Sequence, residues 1–128
     1  MTGTLSGPLA ALLVAAGGAV GAPLRYLTDR FIQARHDTLF PWGTFTVNLL
    51  GSALLGFLAA LPVGEVMSLA LGAGFCGALT TYSTFSYETL RLVQDGARFV
   101  AAANVVASVA GGLGAGVCGF LLARAVTG

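Results

Sequence analysis

The chain has 128 residues, of which only 11 are charged; the six basic residues are all arginine and the net charge is +1. Soluble domains carry about 25% charged residues, so a share of 9% argues against a soluble enzyme and a disordered tail, and the small net charge against a nucleic-acid binder. Glycine is abundant at 19 residues, and two cysteines are too few for a disulfide scaffold.

The charges are clustered, and the clusters divide the chain. Residues 1–24 carry none, nor do 38–64, 66–87 and 99–123. About 20 mainly apolar residues let a helix cross a hydrocarbon core of roughly 30 Å. Each block is long enough, and backbone in lipid must satisfy its own hydrogen bonds. The expected fold is therefore an all-α membrane protein with one domain, 1–128, and four transmembrane helices near 8–29, 42–61, 66–93 and 97–124. The short alternating segments of a membrane β-barrel are not seen.

In chain order, Pro8 opens the first helix, and Tyr26 suits an interfacial aromatic position. The apolar run has no basic residue before it, unlike a signal peptide. His36 falls in the charged first connection and reads as solvated. Pro41 and Trp42 mark the start of the second helix, which carries Asn48. Pro62-Val63-Gly64 makes a short turn, so helices two and three are antiparallel neighbours.

The third helix holds Thr80-Thr81-Tyr82-Ser83-Thr84-Phe85-Ser86-Tyr87, five Ser/Thr residues in seven positions. Single hydroxyls in membrane helices bond back to their own helix or glue helices together. A whole run beside glycines reads better as a water- or ion-lined path. Gly72, Gly74 and Gly77 spell G-x-G-x-x-G, but the segment lacks the preceding strand that a dinucleotide site requires. The glycines instead predict a weakened helix, broken near Gly77–Thr81. Carbonyls freed at such a break are tolerated where they coordinate something, and broken membrane helices use them for ions.

A charged turn around Gln94–Gly96 leads to the fourth helix, with Asn104 and Ser108. Gly17-x-x-x-Gly21 and Gly112-x-x-x-Gly116 are small-residue faces for packing within the bundle or between subunits. Cys76 and Cys118 read as packing residues. No acid lies deep in a helix, which weighs against a proton-driven transporter. Four helices enclose little space, so an oligomer is expected. Arg25, Arg30, Arg35, Arg91 and Arg98 lie in or beside the first and third connections, against Arg124 elsewhere. That bias predicts cytoplasmic arginine-rich connections and both termini outside.

Three stretches carry a family resemblance. Gly17-Gly18-Ala19-Val20-Gly21-Ala22-Pro23-Leu24-Arg25-Tyr26 resembles the first-helix motif of the CrcB/Fluc fluoride channels. Trp42-Gly43-Thr44-Phe45-Thr46-Val47-Asn48-Leu49-Leu50-Gly51 resembles their second-helix motif. Gly74 to Glu88 is similar to their broken third helix. Order, spacing and chain length agree over nearly the whole chain.

The resemblance implies a multi-pass protein of the cell membrane, not an enzyme, that passively exports fluoride from the cytoplasm. It implies an antiparallel, dual-topology dimer with two pores. A structural sodium ion would sit at the dimer centre on the backbone carbonyls of Gly77 and Thr80 from both chains. Asn48 would line the pore, Tyr82 and Phe85 would face fluoride, and Ser83, Thr84 and Ser108 would form a polar track. Arg25 would lie near a pore mouth, and Glu88 would play a structural role. Hydroxyl and amide donors with electropositive aromatic edges suit a small, strongly hydrated anion without trapping it.

The chain departs from the family's usual residues at three places. Tyr82 stands where phenylalanine is common, Asn104 where tyrosine is frequent, and Gly112 where a serine often extends the track. The Tyr82 departure predicts changed conductance. The arginine bias is strong for a chain that inserts both ways, so the partner is either a second copy or an oppositely oriented paralogue. Two alternatives complete the expectations. One is a non-conducting or specialised partner subunit of a heterodimeric fluoride channel. The other is a small four-helix multidrug exporter, disfavoured because residues 1–24 lack its intramembrane glutamate.

Overall fold

The computed structural model describes residues 6–36, 38–62 and 64–127, with the Glu65 side chain outside the description; all regular structure among these residues is helical. Helix α1 spans Gly7–Ala34 and α2 spans Trp42–Ala59. Helix α3 is one helical run in three parts: Glu65–Met67, a wide π-helical stretch Ser68–Cys76, and a last turn Gly77–Leu79. Helix α4 spans Ser83–Gln94 and α5 spans Arg98–Thr127. Among the described residues, α1, α2 and α5 are the helices that are each long and apolar enough to cross a membrane.

Local chemistry sets the helix ends. The Ser6 hydroxyl accepts from the Leu9 N–H (3.2 Å) at the start of α1, with Pro8 in the first turn. Helix α1 continues past residue 29, as Arg30 donates to the Tyr26 hydroxyl one turn back (2.8 Å). Pro41 caps α2 without a side-chain acceptor. The Gln33 Oε1 of α1 takes that role, accepting from the Gly43 N–H at 3.2 Å. His36 is exposed, yet its Nδ1 lies 2.8 Å from the Ile32 carbonyl and its ring stacks on Trp42 at 5.5 Å. Of the turn Pro62–Gly64, Val63 lies outside the described residues. Gly96, at φ +86°, ends α4 in the left-handed region, and the Ala97 N–H reaches back to the Leu92 carbonyl (2.8 Å). That six-to-one bond is the Schellman stop, and glycine is the residue it favours.

The helices sort into two parallel pairs. Along α1 and α3 the contacts advance together, Gly17 against Ala70 and Gly21 against Phe75 and Ala78. Along α2 and α5 they do the same, Ser52 beside Gly112 and Gly56 on Gly116. Between α1 and α2 they run oppositely, with Asp29 on Gly43 while Val20 and Leu54 line one hollow. Glycine makes the close approaches possible. A Cβ on Gly56 would collide with the Gly116 carbonyl, and one on Gly21 would come to 2.5 Å of the Phe75 carbonyl. Both small-residue faces of the sequence thus touch neighbouring helices, although Gly112 itself has ordinary room, its nearest neighbour being Ser52 Oγ at 3.6 Å.

Few side chains are buried: Val47, Cys76, Leu79, Leu92, Ala101 and Ala123 are the apolar ones. Large apolar residues such as Leu12, Leu27, Val106, Leu113 and Val126 point outward. Monomeric soluble proteins rarely expose such continuous apolar surface. Lipid accommodates it, and helix association then depends on close packing rather than on burial from water.

Candidate ion pathway at the broken helix

The helix break lies at Thr80–Tyr82, overlapping the C-terminal part of the expected segment. Gly77 remains helical (φ −62°, ψ −37°), and the chain turns extended at Thr80 (φ −82°, ψ 162°). Gly72, Gly74 and Gly77 fall in or beside the π-helical stretch, where glycine lowers the cost of leaving α geometry. The break follows once threonine hydroxyls and neighbouring helices can replace the lost backbone bonds.

Those replacements can be accounted for one by one. The Thr80 N–H and hydroxyl both donate to the Cys76 carbonyl, at 3.0 and 2.9 Å. The Thr81 hydroxyl accepts from the Thr84 N–H at 3.1 Å, making Thr81 the side-chain cap of α4. Asn48 of α2 spans the gap: its Oδ1 accepts from the Thr81 N–H (2.8 Å), and its Nδ2 donates to the Thr81 carbonyl (3.1 Å). A single carboxamide thereby satisfies both backbone groups of one residue, as a neighbouring strand would. Arg25 of α1 donates through Nε to the Ala78 carbonyl at 3.2 Å.

Some groups are left over. Among the described residues, the carbonyls of Gly77, Leu79 and Thr80 receive no hydrogen bond, and the N–H groups of Tyr82, Ser83 and Phe85 make none. The end of α3 therefore presents unspent acceptors and the start of α4 unspent donors. Helix dipoles add to this polarity, negative at a C-terminus and positive at an N-terminus.

A cavity of about 620 Å³ opens beside the break. It brings together Asn48, Gly77, Thr80, Tyr82, Phe85 and Ser108 of the sequence-predicted site residues, along with Gly112. Its wall is mostly apolar, and among the described residues no charged side chain lines it. Tyr82 is 81% exposed on the open side, its ring 6.5 Å from that of Phe85. Three predicted site residues stand apart from it. Ser83 is exposed on α4, Thr84 is half-buried with its N–H held by Thr81, and Arg25 lies against α3. Arg25 is thus held at the level of the break.

Two further polar contacts, of Glu88 with Thr44 and of Asn104 with Thr89, were not foreseen in the sequence. The Thr44 hydroxyl, one turn before Asn48, lies beside the Glu88 carboxyl, close to Asp29. Thr44 Oγ1 and Glu88 Oε1 are both buried without a hydrogen-bond partner among the described residues. The four-residue spacing of Thr44 and Asn48, which puts both on one face of α2, was the available signal. The second feature joins α4 to α5: the Asn104 Nδ2 donates to the Thr89 hydroxyl at 2.8 Å. Asn104 is 1% exposed. Its polarity inside an apolar block was visible in the sequence, but its partner was not.

Known proteins carry the same pattern. The family described as "CrcB-like protein, Camphor Resistance (CrcB)" matches residues 12–120. The "Fluoride-specific ion channel FluC 1" of Frankia casuarinae is 61% identical over 127 residues, covering 91% of this chain and 98% of the relative. A protein of the same name from Streptomyces avermitilis is 60% identical, covering 90% and 96%. "Fluoride-specific ion channel FluC 2" of Mycobacterium tuberculosis is 47% identical, covering 84% and 85%. With a family match over most of its length and relatives this similar end to end, the chain is a member of the CrcB-like family of membrane proteins.

Proposed function

We propose that this protein is a fluoride channel of the cell membrane, passively exporting fluoride from the cytoplasm, and not an enzyme. The names of its 60–61% identical relatives support this reading. The observation that carries it in this chain is the break in the third span. Among the described residues, it leaves N–H groups of Tyr82, Ser83 and Phe85 unspent next to a cavity that no charged side chain lines. Fluoride gives up its water only where several donors replace it, and a fixed cation in the constriction would hold it too long. Amide and hydroxyl donors, with the ring edges of Tyr82 and Phe85, provide replacement without that trap. Asn48 serves the path by holding the break open, Ser83 and Thr84 place hydroxyls on the first turn of α4 beside it, and Ser108 lines the cavity from α5. Arg25 steadies the break from behind. In this reading α3 and α4 together make one crossing, giving four, with the arginine-rich ends in the cytoplasm.

The working unit is a dimer with two pores, its subunits oppositely oriented. The outward apolar surface and the cavity open at Tyr82 support a partner on that side. The unbonded carbonyls of Gly77 and Thr80 suit a structural sodium ion, because hard cations take oxygen ligands. The described residues offer no cluster of His, Cys, Asp and Glu for a metal. Two carbonyls from one chain would be completed by the same two from its partner. When bound, the ion would neutralise the carbonyl ends of both α3 helices.

The arginine bias favours one second reading, in which the partner is an oppositely oriented paralogue. Expression in a fluoride-sensitive bacterium without its own fluoride exporter tests both. Restored growth in fluoride by this chain alone supports the homodimer. Growth restored only on co-expression of a paralogue supports the heterodimer, and growth restored by neither arrangement overturns the channel reading.

A further inference from the structure

A second hydrogen-bonded chain crosses between α4 and α5, and its proton order is determined. The Thr89 hydroxyl lies 2.8 Å from the Phe85 carbonyl, which has no proton, so Thr89 is the donor. With its one proton spent, Thr89 Oγ1 accepts from Asn104 Nδ2 at 2.8 Å. The amide oxygen of Asn104 is therefore turned to Ser108, whose hydroxyl donates to it at 3.3 Å. The order runs Ser108 to Asn104 to Thr89 to the Phe85 carbonyl. Both ends of the chain, Ser108 and Phe85, line the cavity, while Asn104 is buried behind it.

We infer that Asn104 is a positioning residue: it takes the only proton of Ser108, so that Ser108 presents lone pairs rather than an O–H donor to the cavity. A hydroxyl so committed repels an anion and can only accept from water. The Ser108 position is thus switched off as an anion donor in this protein, and the amide donors at the start of α4 carry the solvation of the ion. Replacing Asn104 by an apolar residue of similar shape releases the Ser108 proton to the cavity. Replacing Thr89 by valine has the same effect by another route, because the Asn104 amide, having lost its acceptor, turns its N–H toward Ser108.

This inference rests on the proposed fluoride conduction, and the test separates the two. Fluoride efflux from liposomes is measured for Ser108→Ala in three backgrounds: native, Asn104→Leu and Thr89→Val. The expected result is efflux within about twofold of the parent in the native background. In the other two backgrounds the same change lowers efflux at least about fivefold, since a hydrogen bond to a charged group is among the stronger kinds. An equal loss in all three backgrounds overturns the inference, as does no loss in any. The melting temperatures of Ser108→Ala, Asn104→Leu and the double variant form a cycle that needs no flux. A non-additive shift supports the bond between the two side chains, and strict additivity refutes it. If the native protein conducts no fluoride, the function reading fails while the melting cycle still tests the ordered chain. Should Asn104→Leu fail to fold, Thr89→Val carries the flux comparison.

Discussion

Asn48→Ala is the most informative single change to the fold of the site. It removes both bonds that α2 makes to Thr81, at 2.8 and 3.1 Å, while leaving the N–H and carbonyl of Thr81 in place. An intramolecular hydrogen bond is worth roughly 0.5–1.5 kcal/mol net, and a buried group left unpaired costs roughly 1–3 kcal/mol. Thr81 lines the open cavity, so water can recover part of the loss. The expected destabilisation is therefore about 2–4 kcal/mol rather than the full sum of two orphaned groups. Asn48→Asp separates the two bonds, as a carboxylate still accepts from the Thr81 N–H but repels its carbonyl. Reversible unfolding in mild detergent, followed by near-UV absorption, measures both variants beside fluoride efflux. Asn48→Ala should lose stability and efflux together, with Asn48→Asp no better than the native protein on either. An Asn48→Ala protein of native stability would refute the assignment of Asn48 as the bridge across the break.

Further predictions concern helix contacts and the cap. Gly56→Ala places a methyl against the Gly116 carbonyl and should cost about 1–3 kcal/mol by overpacking. Gly114→Ala, with nothing within 4 Å of the added carbon, should be neutral or stabilising in the same thermal melts. Thr81→Val removes the hydroxyl that caps α4 and should cost about 1 kcal/mol, recovered in Thr81→Ser. Gly112→Ser fits beside Ser52 Oγ and should leave the melting temperature near native while adding a hydroxyl to the cavity wall, read out as equal or faster efflux.

Three of the membrane-length helices were legible from charge spacing, because charge-free runs carry their own signal, while the remaining run, 66–87, is divided between α3 and α4. The turn at Gln94–Gly96 was equally plain, since Gly96 is where the left-handed stop falls. Helix ends were less so: α1 runs on to Ala34 because Gln33 is needed at the start of α2, a long-range contact that no local pattern shows. The break was foreseen near the glycines, yet Gly77 stays helical and the chain opens at Thr80–Tyr82. The reason lies elsewhere in the chain. Asn48 stands 33 residues from Thr81, and only the folded bundle brings a carboxamide to the one peptide that can leave the helix at low cost. Arg25 taught the same lesson. The sequence marked it only as a charge near the end of an apolar run, and its partner, the Ala78 carbonyl, is freed by the break itself. The approach of Thr44 to Glu88 and the bond from Asn104 to Thr89 join side chains of different helices, so fixed spacing along one helix could mark the residues but not their partners.

Fluoride conduction through a path built from neutral groups is measured most directly in vesicles. Purified protein, free of any paralogue, is reconstituted into liposomes loaded with potassium fluoride. External fluoride is followed by an ion-selective electrode after valinomycin is added, with no proton gradient imposed. Rapid fluoride release from the fluoride-loaded vesicles is expected, with no release of chloride from a matched chloride-loaded set. Fluoride release no faster than from protein-free vesicles, or release that appears only with a proton gradient, would contradict it.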